Sequence, residues 1–269
     1  MIRFEGVSYS YPDCHRVLDE VDLQIEEGTF TAIIGDNGSG KSTLVRHMNG
    51  LLTPSKGSVS LCGLDTLDPA NLWQVRQLVG MVFQDPHSQA VGVTVEEDVA
   101  FGPENLALER DEIRSRVSGS ILDVGLEGLE EQLLMNLSGG QLQKTAIAGV
   151  LAMRPEVLVF DEITSMLDHD SRSQVLDIVS KLNRMGKTIV YVTHHMEEVL
   201  VADRVILMEE GSVAFDGSPE AVFRELYSSG HSIPPLMELA LRLQDAGILD
   251  ANVLPLSSDE LKEELCRSM

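Results

Sequence analysis

Basic side chains are scarce in this chain: 20 Lys and Arg stand against 43 Asp and Glu in 269 residues, a formal charge of −23 at neutral pH. A phosphodiester polymer would meet repulsion over most of such a surface, and no basic stripe with interleaved aromatics occurs, which argues against nucleic-acid binding. Direct adhesion to anionic lipid is disfavoured for the same reason. Cysteine is scarce too. Cys14, Cys62 and Cys266 are odd in number and have no C-x-x-C spacing, a pattern that suggests neither a disulfide framework nor a zinc site and suits a reducing cytosol. No apolar run approaches the roughly 18 residues of a membrane span, and the opening MIRFEGVSYSYP has no apolar signal core, so work at a membrane is expected to pass through another subunit. Aromatics make up 4% of a chain that is 43% hydrophobic. That leaves an aliphatic interior large enough for a full α/β domain and an appendage.

What is present centres on residues 29–50, TFTAIIGDNGSGKSTLVRHMNG, which run from an apolar strand through a glycine-rich loop into a helix. The loop, Gly35-Asp36-Asn37-Gly38-Ser39-Gly40-Lys41-Ser42, fits G-x-x-x-x-G-K-[ST]. Glycines let backbone N–H groups curl into an anion nest, the following helix turns its positive end toward phosphates, and Lys41 reaches the β and γ oxygens. The Ser42 hydroxyl is placed to ligate Mg²⁺, with Thr43 beside it. A nucleotide polyphosphate is the expected ligand.

Short strands are predicted at 2–4, 7–11 and 21–25. Tyr11, at a strand end before Pro12, either packs on the sheet edge or stacks on a purine base. A buried strand at 79–84 ends in Gln84, which either contacts Mg²⁺ or the attacking water, as a strand end beside a phosphate loop can, or simply opens a polar loop. From Thr94 the character changes. Thr94-Val95-Glu96-Glu97 has the form of a capping box, and Ile113, Val117, Ile121 and Val124 recur at helical spacing, so a helical subdomain is expected inserted in the sheet-bearing core. It ends at Leu137-Ser138-Gly139-Gly140-Gln141, which opens a small-residue helix and forms a second anion site. One phosphate tail hardly needs two nests from one chain. Each is therefore expected to serve a different nucleotide, the second completed across a dimer.

Residues 157–162, VLVFDE, form a hydrophobic strand ending in two carboxylates. An acid there is costly unless it pairs, caps a helix or holds a cation. In the catalytic alternative Asp161 holds Mg²⁺ through water and Glu162 polarises the water that attacks the γ-phosphate. Residues 188–193 form one more central strand, closed by His194-His195; His194, the first residue past it, is the choice for a hydrogen bond to the γ-phosphate. A closing hairpin is predicted over Glu209-Glu210-Gly211, and residues 218–269 read as a helical tail with Leu236, Leu239 and Leu243 on one stripe.

Five stretches in order, GDNGSGKST, VFQDP, LSGGQ, VLVFDE and YVTHH, resemble the nucleotide-binding domain of ATP-binding-cassette transporters over about residues 1–220. The fold that this resemblance implies is α/β: a P-loop NTPase core of the ABC ATPase type, with an antiparallel β subdomain, an inserted helical subdomain at about 90–150, and a C-terminal helical tail. The domain would span 1–217, with 218–269 for dimerisation or docking. The resemblance makes Gly35 to Thr43 the Walker A loop, Gln84 the Q-loop glutamine and Ser138, Gly139, Gly140 and Gln141 the signature. Asp161 becomes the Walker B aspartate, Glu162 the catalytic glutamate, Asp168 the D-loop aspartate, His194 the switch histidine and Tyr11 the adenine-stacking aromatic. ATP and Mg²⁺ are the implied ligands, Mg²⁺ at Ser42, Gln84 and Asp161.

Finer wording, including VGMVFQDP, TVEEDVAFG, TSMLD and IPPL, is similar to the ATPases of energy-coupling factor transporters, which import vitamins and transition-metal ions. That implies a second ABC ATPase subunit, identical or related, and integral-membrane transport subunits, one of which selects the substrate. The chain would then sit peripherally on the cytoplasmic face of the cell membrane. Lys144 stands where arginine is usual, and Ile163 replaces a small residue or proline after the glutamate, where it can alter the dimer contact. The rivals are another ABC transporter class, a soluble ABC ATPase without transport, and a phosphate-loop GTPase. The soluble proteins would call for a long coiled-coil insertion or a second cassette, and the GTPase for an N-K-x-D motif; none is present.

Overall fold

Five runs dominated by aliphatic residues, FTAII, VGMV, VLVFD, TIVYV and RVILM, set the centre of the fold, because a strand inside a parallel sheet meets apolar layers on both faces and carries no alternation. The computed structural model describes residues 1–12, 16–250 and 254–268. In chain order it contains β1 (Ile2–Ser10), β2 (Arg16–Ile25), β3 (Phe30–Ile34), α1 (Lys41–Met48), β4 (Lys56–Leu61), β5 (Leu64–Asp65), α2 (Leu72–Leu78) and β6 (Val79–Val82). Then follow α3 (Pro86–Gln89), α4 (Val95–Asn105), α5 (Arg110–Asp123), α6 (Gly139–Ala152), β7 (Val157–Asp161), α7 (His169–Arg184) and β8 (Thr188–Val192). The chain closes with β9 (Arg204–Glu209), β10 (Ser212–Gly217), α8 (Pro219–Ser228), α9 (Pro235–Asp245) and α10 (Ser258–Ser268).

The larger sheet has the order β10-β9-β3-β8-β7-β6, parallel throughout except for the edge strand β10, which pairs antiparallel with β9. The smaller sheet, β2-β1-β4-β5, is antiparallel. Successive side chains of a strand point to opposite faces, and β3 shows the consequence. Phe30, Ala32 and Ile34 enter a core shared with α4 to α9, while Ile33 enters a second core shared with α1 and the antiparallel sheet. The phosphate-loop strand is thus clamped from both sides. This is the α/β architecture with an antiparallel subdomain that the motifs imply.

Local chemistry explains where the reading of the sequence slipped. The separate strands expected at 2–4 and 7–11 are one strand, β1, because the register against β2 shifts between Phe4 and Val7. Gly6 sits at that shift with φ +56° and donates its N–H to Asp22 Oδ1 at 2.7 Å. A bulge of this kind breaks the apolar alternation without ending the strand. Helix α2 and the two-residue β5 carry too little periodicity to be read from the sequence.

The inserted helices behave as expected. Thr94 and Glu97 form a reciprocal capping box at the start of α4, and Val117 and Ile121 of α5 and Val124 just beyond it are buried. The tail is continuous with the main core: Val222, Phe223 and Leu226 of α8 and Met237, Ala240 and Leu241 of α9 lie in the same apolar cluster as β3 and β8. Ser257 accepts the Glu260 N–H at the start of α10. Ile163, expected to alter the dimer contact, is 1% exposed and packs in the interior of its own chain. Cys62 and Cys266 are free and exposed; Cys14 lies outside the described residues.

Candidate functional site

Four neighbouring parallel strands, β3, β8, β7 and β6, deliver their C-terminal ends to one edge of the sheet, the edge where open α/β sheets hold ligands. Each end brings a candidate group. Beyond β3 comes the glycine loop, beyond β8 His194, at the end of β7 Asp161 followed by Glu162, and two residues beyond β6 Gln84.

The loop owes its path to two glycines. Gly35 has φ +142°, and a Cβ there would lie 2.1 Å from the Met208 carbonyl oxygen; Gly40 has φ +102°, and its Cβ would lie 2.8 Å from the Val17 carbonyl oxygen. Backbone therefore approaches backbone where no side chain fits. Gly40 caps α1, so the helix amides open directly on the loop. Asp36, Asn37 and Gly38 are exposed at its tip, while Ser39 and Thr43 are buried. Lys41 Nζ donates to the carbonyl oxygens of Gly35 and Asp36, each at 2.8 Å, which holds its charge under the loop. Burial lowers the Lys41 pKa, opposed by the carboxylates of Glu162, Asp161 and Asp36. A cavity of about 420 Å³ flanks the loop, lined by Gly35, Asp36, Asn37, His194 and His231 among others.

Asp161 is 3% exposed and accepts the Ser42 hydroxyl at 2.8 Å on Oδ1, with Arg46 Nη2 at 4.0 Å from Oδ2. Burial raises its pKa; the Ser42 hydroxyl and Arg46 pull it down. Glu162 takes a left-handed backbone, φ +53°, and its N–H donates to the Val192 carbonyl at 3.0 Å. That turn leads the chain out of β7 and sets the carboxylate Oε2 3.4 Å from His194 Nδ1 and 3.4 Å from Gln84 Nε2. Gln84 also donates to Ser165 Oγ at 3.2 Å, and Ser165 Oγ donates to the Glu162 carbonyl at 2.9 Å. Ser165, whose part was missed in the sequence, thus ties the glutamine to the glutamate. It lies within the TSMLD stretch, where spacing gives no sign of a role. Tyr11 reaches the same region: its hydroxyl is 3.3 Å from Thr43 Oγ1, and its ring meets Tyr9 edge-on with centroids 5.0 Å apart.

Among the described residues no cluster of three or more His, Cys, Asp or Glu is placed to hold a metal. The oxygens of Ser42 and Asp161, with Gln84 at the neighbouring strand end, are hard donors too few to cage a cation alone. This suits Mg²⁺, which takes few protein ligands and completes its shell from phosphate and water.

The second glycine turn gathers different neighbours. Ser138 Oγ accepts the Gln141 N–H at 3.2 Å, and Gln141 Oε1 accepts the Ser138 N–H at 2.9 Å, a closed capping box at the start of α6. A Cβ on Gly140 would lie 2.5 Å from Ser171 Oγ, whereas Gly139 faces nothing nearer than Leu167 at 3.9 Å. Asp168 caps α7 by accepting the Ser171 N–H and Oγ, each at 2.9 Å, and these donors lower its pKa. Lys144 donates to Gln174 at 2.7 Å. Gly140 and Asp168 thus meet at Ser171, with the Ser138–Gln141 capping box at the start of the same helix as Gly140, whereas Gly35 to Thr43 gather with Gln84, Asp161, Glu162 and His194.

A family model described as ABC transporter matches residues 18–165. The chain is 48% identical to the energy-coupling factor transporter ATP-binding protein EcfA of Methanosarcina acetivorans, across 99% of this chain and 98% of that one. Its structure is similar to that of cbiO1 from Clostridium perfringens, described as part of the ABC transporter complex cbiONQ, with a TM-score of 0.79, 36% identity, and coverage of 91% of this chain and 96% of that one. It is also similar to an ATP-binding cassette solved as a dimer in a post-hydrolysis state with ADP and Pi: TM-score 0.73, 31% identity, covering 81% of this chain and 99% of that one.

Proposed function

The chain belongs to the ATP-binding-cassette transporter family, and on that premise we propose that it is the ATP-hydrolysing subunit of an energy-coupling factor type importer for a vitamin or a transition-metal ion. The observation that carries the catalytic part of this reading is the convergence of Lys41, Ser42, Asp161, Glu162 and His194 on one sheet edge. The near full-length likeness to EcfA carries the importer part.

In the reaction, amides of the loop from Gly35 to Thr43 and the Lys41 ammonium hold the β- and γ-phosphates. Ser42, Asp161 and Gln84 would hold Mg²⁺, which supplies charge neutralisation to the phosphate oxygens when bound. Glu162 orients the attacking water and takes its proton, because its carboxylate projects from the strand end between the histidine and the glutamine. His194 donates to the γ-phosphate and reports its presence to Glu162. Tyr11, beside Thr43, offers a ring to the adenine.

Two copies follow on this reading, because Ser138 to Gln141 open a second anion site at the start of α6 and one phosphate tail hardly needs two such sites from one chain. We assign Ser138 to Gln141 and Asp168 to the nucleotide held by the facing subunit, identical or related. ATP binding closes the pair and hydrolysis reopens it. Residues 1–217 act as the cassette and 218–269 as a surface for dimerisation or docking, consistent with exposed Leu239 and Ile248.

Among the described residues no helix is long and apolar enough to cross a membrane. The stroke is passed to integral-membrane subunits, one of which chooses the cargo, from a peripheral seat on the cytoplasmic face. An apolar groove of about 320 Å³ lined by Trp73, Val91, Phe101, Leu106 and Met153 supports this. Trp73 is 61% exposed there, and an uncovered apolar patch of this kind marks a docking surface. Gentle detergent extraction tests the reading. A stable complex with integral-membrane proteins is expected; a purely soluble pool would favour a cassette ATPase without transport.

A further inference from the structure

Glu198 is 1% exposed, in a 3₁₀ turn at Met196–Val201, and the hydrolytic chemistry above makes no use of it. Its carboxylate accepts hydroxyl hydrogen bonds from Thr193 Oγ1 at 2.5 Å, Thr164 Oγ1 at 2.7 Å and Tyr191 OH at 3.1 Å. Arg172 Nε stands 3.7 Å away. These partners lie on the segments that carry the catalytic groups. Thr164 comes two residues after Glu162. Thr193 comes immediately before His194, and its Oγ1 also accepts the His195 N–H at 2.9 Å, fixing the turn. Arg172 Nη2 reaches the Leu167 carbonyl at 3.4 Å, beside Asp168.

A buried carboxylate is expensive to desolvate, and apolar residues in the same space would fold as well or better. What three hydroxyl donors on two segments, Thr164 after β7 and Tyr191 and Thr193 at the end of β8, secure is relative position. The contact that needs it is the 3.4 Å approach of Glu162 Oε2 to His194 Nδ1, made by two turns beyond the last register pair of β7 and β8, Asp161 with Val192. We propose that Glu198 is a positioning residue for hydrolysis: it locks the turn presenting His194 to the turn presenting Glu162, and through Arg172 to the Asp168 turn.

This rests on the proposed roles of Glu162 and His194, and the experiment separates the two. In the full-length chain, Glu198→Gln keeps size and shape but turns a hydrogen-bond donor toward hydroxyl donors. We expect kcat for ATP to fall roughly tenfold or more, the scale of a small misplacement of catalytic groups, with ADP affinity unchanged within about twofold and Tm little moved. Thr193→Val, an isosteric loss of one hydroxyl, should show the same split of kcat from affinity. The double variant should be no slower than Glu198→Gln alone, since both cut one network. Glu197→Gln, at the exposed neighbour, should keep the parent rate. A Glu198→Gln chain with parental kcat overturns the proposal, as does a rate that falls only in step with ADP binding and folded fraction. If Glu198→Gln fails to fold, Thr193→Val and Thr164→Val decide by the same split. Glu162→Gln measured alongside judges the underlying assignment by itself: parental turnover there rejects the catalytic roles and not the clamp's geometry.

Discussion

Glu162 Oε2 and His194 Nδ1 lie 3.4 Å apart, although the residues are carried by different strands and separated by helix α7. Adjacent parallel strands β7 and β8 pair Asp161 with Val192, so each chain leaves the sheet at the same level and the two side chains meet one turn beyond it. A base and a hydrogen-bond donor so placed can share one γ-phosphate and its attacking water. Glu162→Gln preserves shape and removes the proposed base. ATP binding should remain at the parental level while turnover drops by about 10²-fold or more. Parallel nucleotide titration and phosphate-release assays check this; an unchanged rate would reject the role.

The cluster around Ser171 predicts a different separation of binding from turnover. Ser138→Arg places a long cation at the tip of α6, in the turn assigned to the facing subunit's nucleotide. Loss of the cap costs about 1 kcal/mol, too little to unfold a domain of this size. Nucleotide affinity of the lone chain should be unchanged and hydrolysis should stop. Weakened binding to the isolated chain would instead place the turn at its own chain's nucleotide.

Two loop glycines should respond unequally to a single methyl group. At Gly35 the methyl carbon meets the Met208 carbonyl oxygen at 2.1 Å; at Gly38, with φ +84°, it meets nothing within 4 Å. Gly38→Ala should cost about 1–3 kcal/mol for the backbone conformation alone. Gly35→Ala should cost more and abolish nucleotide binding, because β3 and β9 must part to admit it. Thermal melts and nucleotide titration of both variants compare them; equal penalties would deny the close approach.

His47 makes stability sensitive to mild acid. It is fully buried, its Nδ1–H donates to the Thr43 carbonyl at 2.7 Å, and Nε2 is buried without a partner. Burial lowers its pKa below the ordinary histidine value. The unfolded chain therefore binds more protons than the native chain between the two values. Stability is fully present above the unfolded pKa near 6.5 and is lost as pH falls from there toward the folded one. His195 is shifted the same way, mainly by burial. The fall in Tm from pH 7.5 to 5.5 should be smaller in His47→Leu than in the parent; the chain's 43 acids affect both proteins alike and cancel in the comparison.

Much of the site was legible because its chemistry is local in sequence. A glycine loop between an apolar strand and a helix, or an acid pair ending VLVF, states its geometry in consecutive residues. Ser138 announced a helix start for the same reason, and the structure begins α6 at Gly139 behind a capping box. What stayed hidden depends on contacts across the sheet. Glu198 stands in the acidic run Met196-Glu197-Glu198, where a charge reads as solvated surface, and only the fold brings Thr164, Tyr191 and Thr193 around it. Ser165 carries no spacing that marks a role, and Ile163, which stands where a small residue or proline is usual, is buried in the core. Gly6 broke an alternation that the partner strand restores.

On the proposed function, ATP is hydrolysed between two cassettes, each supplying half of what the γ-phosphate needs. The rate of phosphate release per chain, followed across dilution from the micromolar range until the protein is monomeric by light scattering, tests it most directly. The specific rate should fall with dilution as the pair dissociates and recover on reconcentration. A monomeric preparation that hydrolyses ATP at the full specific rate, whatever its concentration, would contradict it.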